Sequence, residues 1–311
     1  MPASDALLSP IDISLWREDE EFGIHPYGSK AKRTLICPDA PDNPLLIAGH
    51  RYLYKQAESW KAQQMWSEAV AYQIGAAAGL PVPPCFVASN AADGTTGALI
   101  EFFYGYPGQD RADRLAHGAD ILQGAGLMDG SGQPHFLRVN LQHCEDVGIA
   151  GASDWWARVI GFDALIGNTD RHSQNWGLLV DQEGAGRMAP MFDNGTSLAY
   201  QIKDVAIAAG IDADAYARFV RKGRHSCRWA GDDLTAYDHI GLAGRFLEAR
   251  PGTAPAMRAA VAIGDGELEG FLHVCSAIDI EPRFTAGRAD MVGRLVRMRR
   301  DLLGVVLDQY Q

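Results

Sequence analysis

The chain of 311 residues predicts an α+β protein of two lobes, a small strand-rich lobe over residues 1–105 and a larger, mostly helical lobe over residues 106–311. Three observations lead there. The length exceeds that of a typical single domain and can bury a large core. Up to about residue 105, short runs of strand-like composition alternate around one long helical pattern. From Asp110 onward helical spacing of apolar residues dominates, interrupted by one hairpin, and Gly105-Tyr106-Pro107-Gly108 forms the connector between the two styles.

The elements follow in order. Tyr27 to Ile36 is a small basic turn, with Gly28, Ser29, Lys30 and Lys32, running into a strand. Arg51-Tyr52-Leu53-Tyr54-Lys55 is an aromatic-rich strand with Lys55 at its end. Ser59 to Ala78 reads as an amphipathic helix, carrying Met65, Trp66, Ala69, Val70, Ile74 and also Glu68, and it stops at Gly79-Leu80-Pro81. Gly97 to Phe103 is a buried strand that would lead into a hinge between the lobes. Asp154 to Ile166 is a helix with Asp154 as its cap, ending at Gly167-Asn168. Trp176 to Val180 and Arg187 to Phe192 are paired strands around the turn Asp181-Gln182-Glu183-Gly184. Helices over Asp238 to Ala249 and Ala286 to Leu307 belong to a terminal cap.

The chemistry concentrates in Gly167-Asn168-Thr169-Asp170-Arg171-His172-Ser173-Gln174-Asn175-Trp176 and in Phe192-Asp193-Asn194. An Asp five residues before an Asn, with a further Asp beyond a hairpin, is the spacing of a kinase catalytic loop and its magnesium aspartate. Phosphoryl transfer needs an acceptor hydroxyl in line, a base for its proton and divalent cations on the nucleotide oxygens. Asp170 fits the base, while Asn175 and Asp193 offer the hard oxygens that magnesium prefers. The plain alternative is turn and capping chemistry, because Asp and Asn satisfy nearby backbone donors. That alternative explains a lone Asp-Arg-His triplet but not the triplet, the spacing and the hairpin together.

Thr169-Asp170-Arg171-His172-Ser173-Gln174-Asn175 and Phe192-Asp193 resemble the motifs of the HipA-like serine/threonine kinases, the toxin kinases of bacterial toxin–antitoxin modules. The order Asp-Arg-His-x-x-Asn is also similar to the loop of phosphatidylinositol kinases, so the motif alone does not separate protein from lipid acceptors. The resemblance implies a bilobal protein-kinase-like fold, ATP and Mg2+ as cofactors, and a protein substrate with a Ser or Thr acceptor, possible targets including a translation component. It makes His172 an organiser of the loop.

A kinase also needs a cation on the nucleotide phosphates and a loop over them. Lys55 is the candidate for the first, with Glu68 able to hold its ammonium; a solvent-facing Glu on a surface helix is the competing reading of Glu68. No phosphate loop with the Gly-x-x-x-x-Gly-Lys-Ser/Thr pattern occurs, and no Gly-x-Gly-x-x-Gly loop. Backbone amides around Gly28 and Ser29, with Lys30, offer a cradle instead, against the alternative of an exposed basic hairpin. By resemblance Ser29 becomes a candidate autophosphorylation site, and the backbone after Glu101, towards Phe103, the adenine contact.

The remaining observations set limits. A hydrophobic content of 47% with 22% charged residues is ordinary globular composition. The net charge of −11 argues against a broad nucleic-acid face, so no direct nucleic-acid binding is expected. Arg294, Arg297, Arg299 and Arg300 read as a solvated helix face. The five cysteines are scattered without zinc spacing, which suits reduced thiols, and the nine histidines form no metal pair at helical spacing. No signal peptide or membrane span is read in the sequence, which makes a cytoplasmic protein the expectation. The chain is also shorter than full-length HipA toxins, without room for their extra N-terminal subdomain; a separate small antitoxin protein is the partner the resemblance implies. A lipid or small-molecule kinase, or a non-enzymatic regulatory scaffold, stands as the alternative function, and acceptor choice is expected to lie in the segment from Ala199 to Asp212.

Overall fold

The computed structural model describes residues 9–20, 32–109, 113–128, 136–233 and 235–310. Gly28, Ser29 and Lys30 lie outside the described residues. In chain order the strands of the first part are β1 (Ile11–Asp12), β2 (Arg17–Glu18), β3 (Lys32–Ile36), β4 (Arg51–Gln56), β5 (Cys85–Asn90) and β6 (Thr95–Glu101), with helix α1 (Gln64–Ala77) between β4 and β5. They form one sheet in the order β1-β5-β6-β4-β3-β2, mostly antiparallel, with β1 running parallel to β5.

Period-two alternation decides what this sheet presents. Tyr52 and Tyr54 of β4, Phe86 of β5 and Leu99 of β6 point into an outer core with Leu35, Ile11 and Ile13. Their neighbours Cys85, Val87, Ala98 and Ile100 point the other way, into the main core where α1 packs against β5 and β6. Lys55 follows Tyr54, so it is delivered to the α1 side. Lys32 stands directly opposite Lys55 in the β3–β4 register and therefore shares that side.

The second part begins with β7 (Arg114–His117), α2 (Gly118–Gly124), α3 (Leu137–Asp146) and α4 (Ala152–Ile166). There follow the hairpin strands β8 (Gly177–Val180) and β9 (Gly186–Met188), then α5 (Asp204–Ala208), α6 (Ala213–Lys222), α7 (His239–Ala249), α8 (Ala254–Ala260), α9 (Asp265–Ala277) and α10 (Ala286–Leu307). Helix α4 is the axis of this part: Trp156, Ala157, Val159, Ile160, Phe162 and Leu165 are buried, and α3, α7, α8 and α10 all pack on it.

Several expectations are corrected. The helix expected from Ser59 starts at Gln64. Ser59 has a positive φ of 52°, which breaks helical continuation and leaves a single 3-10 turn, Ser59–Lys61, before α1. Helix α1 is not a surface amphipath: Gln64, Ser67 and Glu68 are as buried as its apolar residues. Asp154 does not cap α4. That helix begins at Ala152 after Gly151 in left-handed backbone, and Asp154 lies in its first turn, where a carboxylate suits the helix dipole. Arg114–His117, expected to be helical, is a strand on the free edge of the hairpin, making a sheet of order β7-β8-β9. Arg299 is not solvated; it is buried beneath the end of α4.

Candidate active site

The end of α4 launches the loop. Gly167 takes left-handed backbone at φ 66°, closing the helix, and the next residues are tied down by a hub of buried polar groups. Asn168 donates from its amide to Asp163 (3.1 Å) and accepts from the Asp170 N–H (3.0 Å). Arg171 is buried and spends its guanidinium on Asp163 Oδ1 (2.8 Å) and Oδ2 (3.0 Å), on the Asn175 carbonyl (2.9 Å), on the Phe192 carbonyl and on Asn194 Oδ1 (2.6 Å). One side chain thus joins the helix, the Asp170 loop and the Phe192-Asp193-Asn194 turn. His225 Nε2 lies 3.1 Å from Asp163, while its Nδ1 accepts from the Cys227 N–H, so the imidazole donates to the carboxylate. Burial works to raise the Asp163 pKa, but Arg171 and His225 outweigh it and hold this carboxyl well below the usual carboxylate range. His239 closes the hub from α7, with Nε2 2.6 Å from the Asn168 carbonyl. Burial pushes its pKa down to about 3, so the imidazole is neutral and the contact is a donation from Nε2–H.

Above this hub stand the groups with chemistry. Lys55 Nζ lies 2.7 Å from Glu68 Oε1 and 2.8 Å from Asp193 Oδ1. Glu68 Oε2 accepts the Asn194 N–H (3.0 Å), so α1 holds both the lysine and the backbone after Asp193. Burial opposes the charge on Lys55, but Asp193 and Glu68 raise its pKa above the usual lysine value. Burial likewise works against the Asp193 charge, yet Lys55 and then Lys32 hold that carboxyl below the usual range. Asp193 has φ 59°, left-handed backbone that Asp tolerates better than most residues and that aims its carboxylate at Lys55. Lys32 is a second cation on the site: burial lowers its pKa, and Asp193, Glu68 and Asp170 oppose that shift.

Asp170 is half-exposed, and His172 Nε2 lies 3.7 Å from its carboxylate. Burial raises its pKa, with Asp193 adding to the rise and His172 opposing it. Asn175 Nδ2 donates to the Asp170 carbonyl (2.6 Å), which consumes the amide nitrogen and leaves Oδ1 as the atom fit for a cation. Among the described residues no three His, Cys, Asp or Glu side chains gather as a metal cage. An Asn and an Asp oxygen beside phosphates and water form the kind of donor set magnesium accepts.

At the hinge, the Glu101 side chain turns away from the site: Tyr106 and Tyr52 donate to its carboxylate at 3.0 and 3.4 Å. The Phe102 N–H donates to the Arg51 carbonyl, and the Phe102 carbonyl receives His50 Nε2 (2.7 Å). The Phe103 ring stacks on Phe192 at 5.4 Å, so a hinge ring and the residue before Asp193 are neighbours. The structure therefore brings Lys55, Glu68, Asp170, Asn175 and Asp193 together, with Phe103 at the rim. Asp163, Asn194, His225 and His239 were missed by sequence reasoning; only the Phe-Asp-Asn string pointed at one of them.

The HipA-like C-terminal domain family matches residues 32–245. A curated relative of Sinorhizobium fredii (strain NBRC 101917 / NGR234), named "Putative kinase Y4mE", is 26% identical over 50% of this chain, and the match spans only 40% of that relative's length. Among solved structures, the Helicobacter pylori proinflammatory kinase CtkA aligns with a TM-score of 0.73 at 15% identity, covering 97% of this chain and 98% of that one. The HipA of Shewanella oneidensis MR-1, solved with HipB and operator DNA, aligns with a TM-score of 0.56 at 12% identity, covering 97% and 69%. The solved structures carry the fold and the family match carries the descent: this chain belongs to the HipA-like C-terminal domain family and has its kinase-like fold.

Proposed function

We propose that the chain is an ATP- and magnesium-dependent serine/threonine protein kinase. The observation that carries this reading is Lys55 bridging Glu68 and Asp193 beside Asp170 and Asn175. Lys55 and Lys32 would hold nucleotide phosphates, with Glu68 keeping the Lys55 ammonium in place when Asp193 turns to a cation. Asn175 Oδ1 and Asp193 would hold magnesium, which supplies charge neutralisation on the phosphate oxygens when bound. The half-exposed Asp170 carboxylate receives the proton of the acceptor hydroxyl as the hydroxyl oxygen bonds to the γ-phosphorus of ATP and the bond from that phosphorus to the oxygen of the leaving ADP breaks. The Phe103 peptide would pair with a purine edge, a role supported by the Phe103 ring stacking on Phe192, the residue before Asp193.

The protein acceptor and a small antitoxin partner extend the same proposal. The HipA structure holds HipB, which makes such a partner reasonable for a relative. Ser29 autophosphorylation belongs to the proposal too, on the resemblance alone. No helix among the described residues is long and apolar enough to cross a membrane.

The test is incubation with radiolabelled ATP and magnesium, alone and in cell lysate, beside Asp170→Ala, with mass spectrometry of labelled sites. Label on Ser or Thr of this chain or of a lysate protein, lost in the variant, is the expected result. Label retained in Asp170→Ala overturns the assignment of the base, and label found only in lipid or small molecules overturns the protein acceptor.

A further inference from the structure

At the end of β6, three successive peptides use their polar groups differently. The Glu101 N–H donates to the Pro84 carbonyl (2.9 Å), and the register of Cys85 with Ile100 puts Pro84 opposite Glu101. Another residue at 84 would return a bond to the Glu101 carbonyl, as antiparallel partners do, but proline has no N–H. The Phe102 peptide faces the β4 side: its N–H donates to the Arg51 carbonyl (3.1 Å) and its carbonyl accepts from His50 Nε2 (2.7 Å). Among the described residues the Phe103 N–H has no acceptor. An open acceptor at 101 and an open donor at 103 thus flank a peptide whose own groups are taken.

His50 can hold that peptide because it is itself held. Its carbonyl accepts the Cys37 N–H (2.9 Å), its N–H donates to the Ile47 carbonyl (3.1 Å), and the residue is buried. Since a carbonyl only accepts, Nε2 carries the hydrogen. The Tyr106 ring lies flat on the imidazole at 4.4 Å, the planes 8° apart, and its hydroxyl donates to Glu101 Oε1 (3.0 Å). Tyr52 meets the imidazole edge-on at 5.7 Å and donates to Glu101 Oε2 (3.4 Å). Strand alternation sets the side chains of Tyr52, Leu99 and Glu101 on the outer-core face of the sheet, opposite the face that carries Lys55.

We propose, resting on the kinase reading above, that His50 is a positioning residue for the nucleotide. By pinning the Phe102 carbonyl on the β4 side it keeps the Glu101 carbonyl and the Phe103 N–H in register as one acceptor–donor pair, and Pro84 keeps the acceptor open. Such a pair matches a 6-aminopurine, whose exocyclic amine donates and whose N1 accepts. A 6-oxopurine carries the reverse, an O6 acceptor and an N1–H donor, and sets acceptor against acceptor and donor against donor. His50 therefore governs the preference for ATP over GTP without touching either.

The test compares His50→Phe, His50→Gln and Pro84→Ala with wild type, measuring kcat and KM for ATP and GTP and, by titration calorimetry with magnesium, the Kd of each nucleotide. His50→Phe keeps a stacked ring and removes the donor; His50→Gln keeps an N–H donor near the place of Nε2. In His50→Phe, KM and Kd for ATP should rise about tenfold with kcat changed less than about twofold, the pattern of a contact made equally in ground and transition states. GTP does not use the pair, so the preference for ATP should fall by about the same factor. His50→Gln should recover most of the loss. Pro84→Ala restores an N–H opposite the Glu101 carbonyl and should raise Kd for ATP by about threefold, less because a carbonyl has a second lone pair. An unchanged Kd for ATP in His50→Phe, an equal loss for both nucleotides, or a Gln variant no better than Phe overturns the role of His50. Should His50→Phe fail to fold by circular dichroism, Pro84→Ala decides: an unchanged preference for ATP overturns the hinge pair. A wild type that binds ATP over GTP and responds to the variants, yet transfers no phosphate, overturns the kinase reading and supports the hinge assignment. An active wild type with an unmoved His50→Phe does the reverse, and a wild type that binds neither nucleotide overturns both.

Discussion

Gly167→Ala tests how the catalytic loop is attached to the helical part. Gly167 lies at φ 66°, and a Cβ added there would stand 2.4 Å from Arg299 Nη2 and 2.5 Å from its Cζ. Two costs follow. Placing a side chain in left-handed backbone costs about 1–2 kcal/mol. Displacing a guanidinium that is itself buried in packed surroundings costs about 1–3 kcal/mol more, as overpacking does. A total of about 3 kcal/mol lowers the melting temperature by about 6–12 °C for a chain of this size. Gly184→Ala is the control, because Gly184 is also left-handed at φ 85° but an added Cβ meets nothing within 4 Å; only the backbone cost should appear. In an Arg299→Ala background, Gly167→Ala should likewise shrink to the backbone cost, giving a coupling of about 1–3 kcal/mol between the two sites. Urea unfolding followed by circular dichroism reads all four. Equal losses for Gly167→Ala and Gly184→Ala, or an unchanged cost in the Arg299→Ala background, would refute the argument that Arg299 is wedged against the start of the loop.

Three further outcomes are expected. His239 has a folded pKa near 3 against about 6.5 unfolded, so the unfolded chain binds the extra proton between those values and stability falls on acidification below pH 6.5, by about 1.4 kcal/mol per unit; unfolding titrations should show this slope and His239→Gln should remove it. Asp163→Asn leaves the Arg171 charge buried without its carboxylate and should cost about 3–5 kcal/mol by denaturant unfolding; since the Asp163 pKa is depressed on folding, its contribution in wild type is full above about pH 4 and is lost as pH falls further. Cys227, whose Sγ donates to the Arg171 carbonyl and whose thiol is pushed up to about 12 by burial, should resist a thiol reagent at neutral pH until the protein unfolds, as mass spectrometry of the labelled chain would report.

The parts legible in the sequence were those whose chemistry is local. Asp170 and Asn175 are five residues apart and Asp193 follows the hairpin, so spacing alone proposed their meeting. Lys55 was legible because it closes an aromatic-rich strand just before the helix that carries Glu68. The buried hub was not legible. Asp163 sits in a helix where any apolar-periodic reading expects a solvent or dipole role, and its partner His225, like His239 on the neighbouring Asn168 carbonyl, comes from more than sixty positions away. Nothing in periodicity distinguishes Arg299 from Arg294 on α10, because both read as charged helix residues; only the packing of α10 against α4 buries one and leaves the other exposed. The break at Ser59 escaped for a related reason: Trp60 and Tyr200 stack across the parts at 6.0 Å, and that tertiary contact accompanies a turn where helix propensity alone would continue.

The two ion-pair systems of the site are built for opposite purposes, and the residue types show it. Asp163 and Arg171 are wholly buried, and the guanidinium uses its planar fork on carboxylate, amide and carbonyl oxygens at once. Nothing that enters the site can offer it a better set of acceptors, so this pair is fixed scaffolding under the loop. Lys55, by contrast, is a compact point charge shared between Glu68, which is buried, and Asp193, whose side chain is a third exposed at 33%. On the reading proposed above, a phosphate oxygen would replace Asp193 on that ammonium while Glu68 keeps its grip, which would free Asp193 for a cation. The charges favour that exchange only in one form. Among the described residues, Glu68, Asp170 and Asp193 set three carboxylates against the two ammoniums of Lys32 and Lys55, with the Arg171–Asp163 pair beneath them, and those carboxylates disfavour a bare polyphosphate. On the kinase reading proposed above, a nucleotide arriving with its divalent cation would lessen that repulsion and give the released Asp193 a partner, so the metal complex and not the free nucleotide would be the species received.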